Sequence, residues 1–341
     1  MSDLEPTTPR EAVRYYHEDR EMDLTEKSQQ NHRYRLKSWI AFCNEQGIEN
    51  MNNVTGRKLH EFRLWRKNGE GDEYDEIKKV TLKGILTTLR VFLGYCATIE
   101  AVEEGLRERV RIPKLNSEEI SRDEKLEEAD AAGMLEYLEQ FRYASREHAM
   151  LSILWHTGIR LGTLRAFDVE DLDKSERCLD IRHRPKQETP LKNKKDAERS
   201  IALGEYDVGV LEDYIKQHRP DVTDDYGRRP LFASDHGRLT ASPIRITVYR
   251  WTQPCRWGGC PHDEDPNTCE YRKRESLANC PSSRSPHGVR RGAITKHLRD
   301  GTPEEVVSDR MNSSREVIDQ HYDERSEREK MRLRRELIRD L

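Results

Sequence analysis

Two stretches of this chain read as neighbouring strands, Cys178–His183 and Ser200–Leu203, and between them lies PKQETPLKNKKDAER. They form a predicted hairpin with a long, mobile, lysine-rich tip. A further strand-like run is Leu231–Ala233. Nearly all the remaining patterned sequence has the 3.6-residue period of helices. So little strand cannot close a sandwich or a barrel. The chain is therefore expected to be mainly α, of an α+β kind, with helices layered around one small hairpin.

The N-terminal part is wholly helical by this reading. A short helix is expected around Glu11–Arg20. Thr25 then caps a long helix with Leu36, Trp39, Ile40 and Cys43 on one face, ending at Gly47. Thr55 opens a second, with Leu59, Phe62 and Trp65 as its stripe, and NGEGDEYDE is a loop. A third helix covers about Ile77–Thr98, with Ile85, Leu86, Leu89, Phe92, Leu93 and Cys96 inward. These make a helical domain over residues 1–115. Ile112–Ser121 reads as a linker, and a second domain spans 122–341. Its expected helices are Leu126–Gln140, Arg146–His156, Tyr206–Arg219, Pro243–Gln253 and Ser326–Leu341. The last carries Met331, Leu333, Leu337, Ile338 and Leu341, and needs a docking site on its own chain or on a neighbour's.

The chain has 64 acidic and 60 basic residues, a formal charge of −4. That balance argues against a partner held by net charge, so local basic clusters carry more information than the sum. Charged residues make up 36% of the chain with acid in excess, which fits a salt-adapted cytoplasm. No apolar run approaches the ~20 residues that span a bilayer. The N-terminal MSDLEPTTPREAV has neither a basic start nor an apolar core, so a cytoplasmic protein is expected.

Seven cysteines without a secretory signal point to thiols or metal ligands, not disulfides. Cys43, Cys96 and Cys178 read as core residues. Cys255, Cys260, Cys269 and Cys280 lie within 26 residues, spaced Cys-x4-Cys-x8-Cys-x10-Cys. Four thiolates can close a tetrahedral zinc site that staples a polar loop, and His262 can replace one sulfur. The alternative is four reduced thiols in that loop.

A phosphate chemistry is written along the second domain. Arg160 follows the Thr157-Gly158 turn at a helix start, where guanidinium and helix N-terminus both favour an anion; alternatively it pairs with Glu170 or Asp171. His287 and Arg290, three residues apart on a helix, share a face. Arginine grips phosphate at two points, and histidine donates to an oxygen or moves a proton. A lysine on the hairpin, Lys192 or its competitors Lys194 and Lys195, can protonate a leaving 5′-oxygen. Tyr322 can attack phosphorus and become covalently phosphorylated. Together they form a metal-free phosphoryl-transfer set.

In order and spacing these residues resemble the tyrosine recombinase (phage integrase) family. The carrying segments are TGIRLGTLRAFDVEDL, the hairpin lysines, HGVRRGAITKHL and SREVIDQHYDER. The wording DRMNSSREVIDQHYDER and the cysteine cluster look like haloarchaeal, Xer-like integrases. The resemblance implies a helical SAM-like core-binding domain and a mostly helical catalytic domain with a small sheet. It implies site-specific recombination of double-stranded DNA through a 3′-phosphotyrosine, by a homotetramer in the nucleoid. The catalytic residues it implies are Arg160, Lys192, His287, Arg290 and Tyr322, with no cofactor for catalysis. Arg33, Arg35, Lys37, Lys78, Lys79, Lys83, Lys194 and Lys195 become candidate DNA contacts. Two departures stand out. Thr163 replaces the family's glutamate, and Met311-Asn312-Ser313 replaces its Leu-Gly-His. Ser313 then takes the histidine's place, able to donate a hydrogen bond but not to act as an acid. The competing readings are a DNA-binding protein that has lost catalysis and a type IB topoisomerase-like enzyme.

Overall fold

The computed structural model describes residues 4–69, 74–116 and 124–321, and residues 328, 331, 332 and 335 beyond them. The chain divides into two compact units, Met1–Asp123 and Glu124–Leu341. Among the described residues it is mainly helical, with two small antiparallel sheets.

The first unit holds α1 (Pro9–Asp19), α2 (Glu26–Glu45), α3 (Gly56–Asn68) and α4 (Lys79–Thr98). Thr8, Thr25 and Thr55 cap the first three, each accepting a backbone N–H three residues on. An aromatic knot closes the core: Trp39 and Phe62 meet edge to face at 5.2 Å, and Phe42 meets Trp65 at 5.6 Å. Full burial of each such ring contributes about 2–3 kcal/mol. Helix α4 is long and apolar enough to cross a membrane, contrary to the expectation that no apolar run reaches that length. Its apolar residues, from Leu82 through Phe92 to Cys96, are instead buried in this unit's core. The interruptions by Lys83 and Arg90 hide that length from a reading of unbroken runs.

The second unit begins with α5 (Glu128–Arg142), α6 (Arg146–Thr157) and α7 (Leu161–Ala166). Strands β1 (Leu172–Asp173), β2 (Cys178–Ile181) and β3 (Arg199–Ala202) form the sheet that the hairpin predicts. The extra edge strand β1 pairs Leu172 with Leu179 and is too short to show a period of two. Leu179 lies opposite Ile201, and Ile181 opposite Arg199. Then come α8 (Glu205–Asp213), the two-residue strands β4 (Ala233–Ser234) and β5 (Gly237–Arg238), α9 (Ala241–Trp251), α10 (Pro286–Arg299), α11 (Glu304–Met311) and α12 (Arg315–His321). The first five helices and the sheet share one core. Ile294, Leu298, Val307, Met311 and Ile318 make a second cluster, which fixes α11 and α12 on α10.

Helix α10 is seated by glycine. A Cβ on Gly292 would lie 2.1 Å from the Leu126 carbonyl oxygen. Only a bare backbone lets residues 124–126 cross the helix there, and Leu126 N–H donates to Gly288 at 3.1 Å.

The hairpin tip differs from the mobile loop expected of it. Arg184 pairs with Asp171 at 2.5 Å and Asp168 at 3.2 Å. Arg228 donates to the Gln187 carbonyl at 2.8 Å and to Thr189 Oγ1 at 3.0 Å, and Arg165 donates to the Glu188 carbonyl at 2.8 Å. Arg165, Arg228 and the acids that hold Arg184 come from outside the hairpin, so no local pattern announces the restraint.

Candidate active site

Arg160 is the N-cap residue of α7, directly after the turn that ends α6. That turn needs Gly158, which adopts φ +59 and would place a Cβ 2.9 Å from Met311 Sδ. Glu170 and Asp171, the acids that could have claimed Arg160, pair with Arg229 and Arg184 instead. Arg160 donates to the Asn312 carbonyl at 2.8 Å.

Ser285 caps α10, with Pro286 at its first position, so His287 and Arg290 lie in the first turns of a well-formed helix. Arg290 is 3% exposed. Its Nη1 donates to the carbonyls of Gly158 at 2.6 Å and Met311 at 2.8 Å. One guanidinium thus ties the α6–α7 turn, α10 and the end of α11 together.

Arg160, His287 and Arg290 line one cavity of about 250 Å³, with Leu161, Arg245, Tyr249, Ser285 and Pro286. Desolvation, followed by the positive charges of Arg290, Arg291, Arg160 and Lys192, holds the His287 imidazole below the ordinary histidine range. Lys192 is therefore the hairpin lysine whose charge is felt at His287. Lys194 and Lys195 are exposed in a short turn, Lys194–Ala197. Arg245 and Tyr249, one helical turn apart on α9, were not anticipated. Their signal was the polar face opposite Ile244, Val248 and Trp251.

Arg199 was also missed. It sits at the start of β3 on the same face as the buried Ile201, so an arginine in inward register was the available clue. Burial, then the charges of Arg290, Arg160 and Arg310, lowers its pKa to about 10. Crowding of like charges favours a bound anion.

Ser313 is placed differently from the rest. It lines a neighbouring cavity of about 400 Å³ with Asn193, Asp196, Glu198, Arg199, Ser308, Asp309, Asn312 and Ser314. Its hydroxyl is buried without a hydrogen-bond partner among the described residues. Tyr322 lies outside the described residues, as does most of the expected helix Ser326–Leu341. Helix α12 is described as far as His321, the residue immediately before that tyrosine.

Of the candidate DNA contacts in the first unit, Arg33, Lys37, Lys78 and Lys79 are exposed and Lys83 is half-buried. Arg35 is committed internally. Its Nη1 donates to Thr88 Oγ1 at 3.1 Å, and its guanidinium sits over Gly84, which has no side chain to displace it.

All four loop cysteines are half-buried, as is Cys178, which was expected in the core; Cys43 and Cys96 are fully buried. Cys178 shares its outward strand face with Asp180 and so misses the core. Cys255 lies within electrostatic reach of Cys260 and Cys280. Among the described residues, no three His, Cys, Asp or Glu side chains are grouped to hold a metal ion. A zinc site on this loop would need the thiols drawn closer. His262 Nε2 instead lies 2.8 Å from Ser282 Oγ.

A model of the phage integrase family matches residues 124–329. The whole chain is similar in structure to the Tn1549 transposon integrase in complex with transposon right-end DNA. That match has 14% identity and a TM-score of 0.69, and covers 97% of this chain and 99% of that one. A lambda integrase (75-356) dimer bound to a COC′ core site matches at 13% identity and TM-score 0.65, over 94% and 97%. The N-terminal domain of a phage integrase/site-specific recombinase from Haloarcula marismortui is 35% identical, over 32% of this chain and 99% of that one, with a TM-score of 0.29. No curated protein matches the chain.

Proposed function

This chain belongs to the phage integrase family and is a tyrosine-type site-specific DNA recombinase, and from that premise we propose how it cuts and rejoins DNA. Tyr322 is the nucleophile. Its phenolic oxygen bonds to a scissile phosphorus as the bond from phosphorus to O5′ breaks. The electron pair of the broken bond goes to O5′, which takes a proton from Lys192. The phenolic proton passes to the imidazole of His287, whose lowered pKa leaves it neutral to receive it. Arg160 and Arg290 offset the charge that grows on the non-bridging oxygens. The products are a 3′-phosphotyrosine and a free 5′-hydroxyl. A 5′-hydroxyl from the partner strand then reverses every transfer. The phosphodiester energy is kept throughout, so rejoining draws on no nucleotide.

The observation that carries this reading is the shared cavity of Arg160, His287 and Arg290, with Lys192 acting on the same histidine. The exposed lysines of the first unit and Lys194 and Lys195 of the hairpin contact backbone phosphates, positioning the duplex without reading its sequence. Four copies act together on DNA, each docking its C-terminal segment on a neighbour.

Trapping on a nicked suicide substrate tests the scheme. Wild type should accumulate a covalent protein–DNA adduct, and Tyr322→Phe none. Binding without adduct by wild type would favour a protein that has lost catalysis. Relaxation of plasmid without strand exchange would favour a topoisomerase.

A further inference from the structure

The turn that departs from the family pattern does a job of its own. Asn312 ends α11 in the left-handed region, at φ 50 and ψ 61, a conformation that asparagine tolerates better than most residues with a side chain. Glycine would hold the same backbone, so φ alone does not explain an amide here. The amide faces the hairpin. Its Nδ2 donates to the Asp196 carbonyl at 3.1 Å, and its Oδ1 accepts from Asn193 Nδ2. On its other side, its backbone carbonyl accepts from Arg160 at 2.8 Å. Nearby, Arg199 Nε donates to the Arg310 carbonyl at 3.0 Å, a second tie between the hairpin strand and the end of α11. One residue therefore joins the first phosphate arginine, the lysine hairpin and the turn that leads into α12.

Asn193 is the residue directly after Lys192. Lys192 is exposed, so its Nζ is steered by the backbone beneath it and not by a packed wall. Holding the adjacent residue shortens the arc over which a flexible lysine can swing.

We propose that Asn312 is a positioning residue. Its side chain fastens the hairpin at Asn193 and Asp196 to the α11–α12 turn, so that Lys192 is held where it can reach the leaving oxygen. This rests on the reading of Lys192 as the proton donor. The hydroxyl-bearing neighbour Ser313 does not take part, since its side-chain oxygen is buried and bonds to neither Asn193 nor Asp196.

The test uses half-site duplexes from the DNA flanking this protein's own coding sequence, nicked to trap the adduct. The phosphate that wild type cleaves is made with oxygen or with sulfur at its 5′-bridging position. A thiolate leaves without being protonated, so sulfur removes the need for an acid but not for arginines or nucleophile. Asn312→Gly keeps the backbone conformation and deletes the amide, and Asn193→Ala deletes its partner from an exposed position. Both should slow single-turnover cleavage of the oxygen substrate at least about tenfold. Both should cut the sulfur substrate within about twofold of wild type, since the acid step is what they disturb. Lys192→Ala should show the same rescue more strongly. Equal losses on both substrates for the asparagine variants, or no loss on oxygen, would overturn the positioning role. Failure of sulfur to rescue Lys192→Ala would overturn the proton-donor reading beneath it. Asn193→Ala keeps the test decisive should Asn312→Gly fold poorly.

Discussion

Arg290 donates to the carbonyl of Gly158 at 2.6 Å, across 132 residues of sequence. The bond joins the two arginine motifs before any substrate arrives, because the turn that carries Gly158 also presents Arg160. Preorganisation of this kind lets charge stabilisation act without reorganising at the moment of reaction.

Replacing Gly158 should disturb both stability and activity. Alanine there must hold φ +59 and intrude on Met311, whose Sδ would lie 2.9 Å from the new Cβ. Gly158→Ala is expected to destabilise the protein by about 1–3 kcal/mol. Chemical denaturation reads this directly, and an unchanged midpoint would contradict the packing described for this turn.

The acid limb of cleavage should report His287. Its pKa is lowered in the protein, so it stays neutral until the pH falls below the ordinary histidine value of about 6.5. In the proposed scheme the neutral form receives the tyrosine proton, so protonation at low pH should remove activity. At subsaturating DNA the rate should fall with an inflection below that value, and the inflection should vanish in His287→Gln. An inflection above it would reverse the assigned sign.

Arg199 should make the free protein responsive to anions. Its charge is crowded by Arg290, Arg160 and Arg310, so a bound oxyanion relieves repulsion and stabilises the fold. Low-millimolar sulfate should raise the melting temperature of wild type above that in chloride of equal ionic strength. Arg199→Met should lose most of that difference. Equal responses from both proteins would remove Arg199 from the anion site.

The cysteine loop gives a metal prediction. If Cys255, Cys260, Cys269 and Cys280 take zinc, protein purified without added metal should carry about one equivalent. Chelation should then expose four reactive thiols and lower the melting temperature. Less than about half an equivalent in fully folded protein would reject the site.

The sequence alone determined the layout. Local capping and periodicity placed nearly every described helix, because threonine caps and apolar stripes act over one or two turns. Thr25 and Thr55 cap the helices they were expected to cap. The hairpin was legible from two short strands, and Arg160, His287 and Arg290 from motif spacing.

What the tertiary structure decided was which groups share a space. What Arg199 and Asn312 do depends on partners more than a hundred positions away. Arg35 looked like any exposed base until Thr88 and Gly84 were brought beneath it. The lysine-rich tip looked free until Arg165 and Arg228 arrived from other elements. Periodicity and capping are properties of a few neighbouring residues. Charge crowding and hydrogen bonding across the fold exist only once distant segments have packed.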